Sequence, residues 1–139
     1  LEAEAVGNRK ASVPFAGGVD MERRAALLVA VGGFAGAISR HGVAVAVPTA
    51  FPWGTLAVNV VGAFALGVIV YATTLRGRVS EEARLIVSTG FVSSFTTYSA
   101  FAGETTGLDP TLAALNVAGN YALGFLAVLL AREVVRWRS

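Results

Sequence analysis

Six of the seven side chains in Ser93-Ser94-Phe95-Thr96-Thr97-Tyr98-Ser99 bear a hydroxyl, at the centre of a membrane-length run that is less apolar than its neighbours. Such hydroxyls compete with the helical ladder for backbone groups, so a cluster of them can interrupt a helix. In a lipid environment an interruption survives only where it is buried in protein or lines a cavity. Carbonyls freed there are ready ligands for a small hard cation. Tyr98 and Phe101 are three residues apart and share a helical face. Ring edges carry partial positive charge, and a pair of them can accompany an anion without a full counter-charge. Core packing is the plainer use of the same pair.

Two further places could do chemistry. Thr55 and Asn59 lie one helical turn apart in a run that is otherwise apolar. An Asn amide in a bilayer must find a partner. It either joins two helices, worth on the order of 1 kcal/mol, or serves as a donor lining a pore. Gly62, three residues on, permits close approach of another helix and suits both. Arg40 falls inside the first apolar run, where an arginine costs about 2.5–3.5 kcal/mol on insertion scales and marks a functional site by default. It either snorkels to the interface or faces an aqueous vestibule and concentrates an anion there. His41 is the single histidine, so it reads as a neighbour of that vestibule rather than a metal ligand.

The elements that must position these residues follow from the hydropathy. Of 139 residues 55% are hydrophobic and only 14% charged, against about 25% charged in a soluble domain. There are 16 glycines and no cysteine, which excludes disulfide scaffolds and thiolate metal or redox chemistry. Four spans are expected, over about residues 25–47, 53–75, 83–102 and 112–131, each near the roughly 20 residues a bilayer requires. Thr49 to Pro52 form a short turn, and Trp53 suits the interface. Residues 1–20 are expected to be a flexible amino-terminal extension or an expression remnant. Residues 21–139 form the four-helix transmembrane domain. Gly32, Gly33 and Gly36 make a small-residue face for close helix packing.

Four spans bring the amino terminus, the 76–82 loop and the carboxyl terminus to one side. Ten of the 11 basic residues lie there: Arg9, Lys10, Arg23, Arg24, Arg76, Arg78, Arg84, Arg132, Arg136 and Arg138. The opposite turns carry only Glu104 and Asp109 nearby. The positive-inside rule therefore predicts a multi-pass cell-membrane protein with both termini in the cytoplasm. Four helices barely enclose a polar path, so an oligomer is expected.

The stretches GGFAGAISR (32–40), PWGTLAVNVVGAFALG (52–67) and TGFVSSFTTYSAFAGE (89–104) resemble the signatures of the CrcB/Fluc fluoride channels, in that family's order and spacing over all four spans. The resemblance implies a passive, selective fluoride channel that relieves fluoride toxicity. Its fold would be all-α, with the third of four transmembrane helices broken near its centre. It would assemble as an antiparallel dimer with two pores and a structural Na⁺ at the dimer interface. Carried over by motif, Asn59 is the pore-lining amide, and Tyr98 and Phe101 take the two pore-phenylalanine positions. Arg40 is the vestibule arginine. By the same resemblance, main-chain carbonyls of Ser93 and Thr96 would hold the sodium, and Thr55, Thr97, Ser99 and Glu104 match the family's polar positions. Tyr98 departs from the family's Phe and adds a hydroxyl that could donate to fluoride. Ser93-Ser94 replaces the usual Gly-Gly, and the polar residues Asn116, Asn120 and Tyr121 of the fourth span match only loosely. The one-sided charge favours a heterodimer with an oppositely oriented paralogue over an antiparallel homodimer.

Rival readings are a small dimeric exporter of cationic drugs and a membrane assembly subunit without transport. The exporter needs a membrane-embedded carboxylate, whereas the span interiors here carry Arg40 instead. The assembly subunit explains the glycine faces and leaves the hydroxyl cluster without a purpose. An enzyme is the weakest reading: no nucleophile stands beside a base.

Overall fold

The structure, a computed structural model, describes residues 15–48, 50–77 and 79–137. Helix α1 covers Phe15–Ala46 and α2 Trp53–Arg76. A third span is assembled from α3 (Glu81–Arg84), a π-helix (Leu85–Val92), α4 (Ser93–Phe95) and α5 (Tyr98–Thr106). Helix α6 covers Pro110–Trp137. Four apolar helical stretches of 27, 23, 26 and 28 residues result. At 1.5 Å per residue even the shortest covers about 34 Å, more than the roughly 30 Å of a hydrocarbon core. The described residues form an all-helical protein with four potential membrane spans.

The helices outrun the apolar stretches seen in the sequence because their ends are capped by polar residues. Ser80 Oγ accepts from the Ala83 N–H at 3.2 Å, with Glu81 and Glu82 in the first turn. Asp109 Oδ1 accepts from the N–H groups of Thr111 and Leu112 at 3.0 and 3.1 Å, and Pro110 fills the first helical position. Helix α2 stops at Gly77, whose φ of 57° is left-handed. The first helix starts at Phe15, inside the segment expected as an extension. Residues 1–14 of that segment, Thr49 of the expected turn, and the basic residues Arg9, Lys10, Arg78 and Arg138 lie outside the described residues.

Packing runs in two pairs, α1 along the third span and α2 along α6, with little contact between α1 and α2. Glycines set the first pair. A Cβ on Gly32 would stand 2.0 Å from the Ile86 carbonyl oxygen, and one on Gly36 2.3 Å from that of Phe91. Gly90 answers from the π-helix, where a Cβ would lie 2.7 Å from the Val29 carbonyl. The backbones therefore touch, as small-residue faces allow. Buried apolar residues are few, Leu56, Val58, Val92, Phe95 and Phe101 among them. Leu27, Val31, Phe34 and Ile38 line one exposed face of α1. A water-soluble protein rarely shows a continuous face like that, whereas a bilayer accepts it. Trp53 and Trp137, both exposed, sit at helix ends where interfacial aromatics belong.

Arg24 and Glu82 pair at 3.2 Å on the surface. Such a pair is worth about 0–1 kcal/mol. It places the start of the first span and the start of the third at the same end of the molecule.

Candidate functional site

The third span changes conformation at Thr96 and Thr97. Their φ/ψ values of −77°/157° and −151°/122° are extended, with α-helix on both sides, although the span as a whole bends only slightly. Extended residues forfeit helical hydrogen bonds, and each forfeited group requires another partner. The Thr97 N–H donates to Asn59 Oδ1 at 2.9 Å, and Asn59 Nδ2 donates back to the Thr97 carbonyl at 3.2 Å. One amide thus serves both backbone polar groups of a single residue 38 positions away. Thr97 Oγ1 accepts from the Ala100 N–H at 3.1 Å and caps α5. On the other side, Arg40 Nε donates to the Ser94 carbonyl at 3.1 Å. In an uninterrupted helix that carbonyl would accept from the Tyr98 N–H.

The partners of two other carbonyls are diverted by the same contacts. Ser93 O would pair with the Thr97 N–H in a continuous helix, and Thr96 O with the Ala100 N–H. Those donors are engaged by Asn59 and by the Thr97 hydroxyl. The backbone oxygens of Ser93 and Thr96 therefore have the chemistry of hard-cation ligands, and they fit the sodium that the sequence resemblance implies. The Ser93 hydroxyl turns back onto the carbonyls of Thr89 and Gly90, and Thr96 Oγ1 onto Val92 O at 3.0 Å. These hydroxyls serve their own helix.

Asn59, Ser93, Thr96, Thr97 and Tyr98 line one groove of about 490 Å³, together with Gly62. A Cβ on Gly62 would stand 2.2 Å from Thr96 Cγ2, so only glycine lets α2 approach the extended segment. The groove opens on the surface of the chain, and Tyr98 is 73% exposed there. Phe101 is buried against α6. Its ring lies 5.7 Å from that of Tyr98, tilted by 52°, and 6.2 Å from Tyr121 in an edge-on contact. Ser99 reaches the group through its hydroxyl, 3.3 Å from Thr97 Oγ1.

Three expected residues lie elsewhere. Thr55 and Glu104 line a separate cleft of about 350 Å³ beside the α1–α2 connection, with Pro48, Pro52 and Gly107. Arg40 reaches α4 at Ser94 from the α1 side, outside the groove, and neighbouring His41 is exposed. Sequence reasoning left Asn116 and Asn120 without a role. Asn120 Oδ1 accepts from Asn59 Nδ2 at 3.1 Å, and Asn116 is fully buried, donating to Thr105 Oγ1 at 2.8 Å. Their i, i+4 spacing, the same as that of Thr55 and Asn59, was the available signal.

Fold and site together define a small multi-pass membrane protein whose spans border an open groove that carries amide and hydroxyl groups among apolar ones. The family model described as CrcB-like protein, Camphor Resistance (CrcB), matches residues 27–132. With that match over most of its length, the chain belongs to the CrcB family. It is 69% identical over 119 residues to the fluoride-specific ion channel FluC 1 of Natronomonas pharaonis, covering 86% of this chain and all of that protein. It is 54% identical over 110 residues to the Haloarcula marismortui protein of the same name, covering 79% and 84%. To the fluoride-specific ion channel FluC of Chlorobaculum tepidum it is 44% identical over 117 residues, covering 76% and 93%.

Proposed function

We propose that this chain is a passive fluoride channel of the cell membrane, working as an antiparallel dimer with two pores and a structural Na⁺. The observation that carries the reading is the groove itself. Amide, hydroxyl and aromatic-edge groups gather inside a membrane span, where polar groups are costly unless used. The groove is open on one side of a single chain, and a second chain of opposite orientation would close it. The names of the relatives supply the ion.

In this reading HF crosses the membrane as a neutral acid and ionises in the more alkaline cytoplasm. F⁻ then leaves down its gradient. Thr55 and Glu104 line the separate cleft beside the α1–α2 connection, which this reading takes as the mouth. The Arg40 guanidinium, held at the Ser94 carbonyl, raises the local anion concentration. Asn59 offers an N–H, Thr97 and Ser99 offer hydroxyls, and the edges of Tyr98 and Phe101 guide the anion. The Tyr98 hydroxyl adds a donor of its own. The main-chain carbonyls of Ser93 and Thr96 would hold a structural Na⁺ at the dimer interface, whose charge would satisfy oxygens that have lost their helical donors. The third span then acts as a helix broken at Thr96 and Thr97, its freed groups shared among Asn59, Arg40 and the cation. Both termini face the cytoplasm, and the one-sided charge favours a paralogous partner of opposite orientation.

Growth tests the reading. In a bacterium stripped of its own fluoride exporters, this chain, alone or with its paralogue, should restore growth in millimolar fluoride. Continued sensitivity with both chains present in the membrane would refute it.

A further inference from the structure

Asn59 has more partners than a single packing contact requires. Its Oδ1 accepts from the Thr97 N–H, and one Nδ2 hydrogen is directed to the Thr97 carbonyl. A flipped amide would set oxygen against oxygen and donor against donor, so the chemistry of Thr97 fixes the orientation. The second hydrogen goes to Asn120 Oδ1. An anion can recruit Asn59 without disturbing the extended segment only by taking that second hydrogen.

Asn120 is itself oriented. Its Nδ2 donates to the Asn116 carbonyl and to Asn116 Oδ1, both at 3.0 Å, which turns its own oxygen toward Asn59. Asn116 Nδ2 then donates to Thr105 Oγ1, and Thr105 Oγ1 donates to the Phe101 carbonyl at 2.5 Å. The series Asn59, Asn120, Asn116, Thr105, Phe101 runs donor to acceptor in one sense throughout, so each link polarises the next. It is anchored at a residue without solvent exposure and ends on the backbone of the helix that carries the aromatic pair.

We propose that Asn120 is a positioning residue for the anion step: it holds the second N–H of Asn59 and releases it to fluoride, while Asn116 and Thr105 keep its oxygen aimed. The inference rests on the fluoride-channel reading. The competition between Asn120 and the ion keeps binding weak enough for release, as conduction demands.

The test is the fluoride dependence of efflux from liposomes holding the full assembly, for wild type and Asn120→Leu. Leucine leaves the N–H of Asn59 without its acceptor, and fluoride then becomes its only partner. Half-saturating fluoride should fall about fivefold or more, matching about 1 kcal/mol for an unpaired buried donor. Maximal flux should fall with it, because release slows. Asn120→Gln, which keeps acceptor and donor, should restore both values toward wild type. Asn120→Ala, which tests the same point by deleting atoms, should reproduce the paired fall should the leucine variant assemble poorly. Lower maximal flux with unchanged or raised half-saturation would reduce Asn120 to helix packing and overturn the proposal, as would a leucine variant indistinguishable from wild type. Absence of fluoride efflux from wild type would instead remove the channel reading itself.

Discussion

At Asn59, three hydrogen bonds to Thr97 and Asn120 tie α2 to the third span and to α6. Buried hydrogen bonds contribute about 0.5–1.5 kcal/mol each, and orphaned partners cost more. Asn59→Ala is expected to abolish fluoride efflux and to lower the unfolding midpoint in detergent; retained flux would demote the residue to packing. Arg40 answers differently. Its bond to the Ser94 carbonyl joins a charged donor to α4, just before the extended residues, worth about 1.5–3 kcal/mol. Arg40→Ala should slow efflux most at low ionic strength, where an unscreened cation attracts anions furthest. A loss independent of salt would leave the arginine a purely structural brace. The residue types were legible in the sequence, since an arginine and an amide inside apolar runs are conspicuous. Their partners were not. Ser94 is 54 positions from Arg40 and Thr97 is 38 from Asn59. Nothing local in either sequence neighbourhood encodes those pairings. Asn116 and Asn120 were passed over for the same reason: an Asn on a membrane helix looks alike whether it faces a neighbour or a pore.

Among the elements, the four spans and the glycine face of α1 could be read directly, because apolar length and small-residue spacing are local properties. Their ends could not be read from hydropathy alone, since Ser80 and Asp109 cap helices that extend past the apolar runs. The π-helix was equally invisible to hydropathy. It is an arrangement of backbone bonds next to a close helix contact, with Gly90 set against α1. Gly36→Val should separate α1 from the third span and cost about 1–3 kcal/mol by overpacking. Gly42→Ala, in a helix interior where the added methyl would meet nothing within 4 Å, should leave stability unchanged or slightly raised. Thermal unfolding of the two variants in detergent checks the contrast. For the carbonyls of Ser93 and Thr96, exchanging sodium for N-methylglucamine should lower the unfolding midpoint, since a ligand bound only to the folded state stabilises it. An unchanged midpoint would argue against the cation site.

The whole molecule presents an open groove and an uneven distribution of charge. Its apolar exterior and its four spans suit a bilayer, and the open groove is where the proposed partner would sit. Alkaline-phosphatase and fluorescent-protein fusions at the carboxyl terminus should report a single orientation, with the terminus cytoplasmic, if the basic residues govern insertion. Equal signals from both reporters would favour a homodimer of dual topology. The fluoride reading depends most directly on one measurement: electrode-monitored efflux from liposomes that contain the purified protein, reconstituted with its oppositely oriented paralogue if the reporters show one orientation, under fluoride and then chloride gradients. Rapid passive loss of fluoride with chloride retained is the expected result. Equal loss of both anions, or retention of fluoride by vesicles with the assembled protein in their membranes, would contradict it.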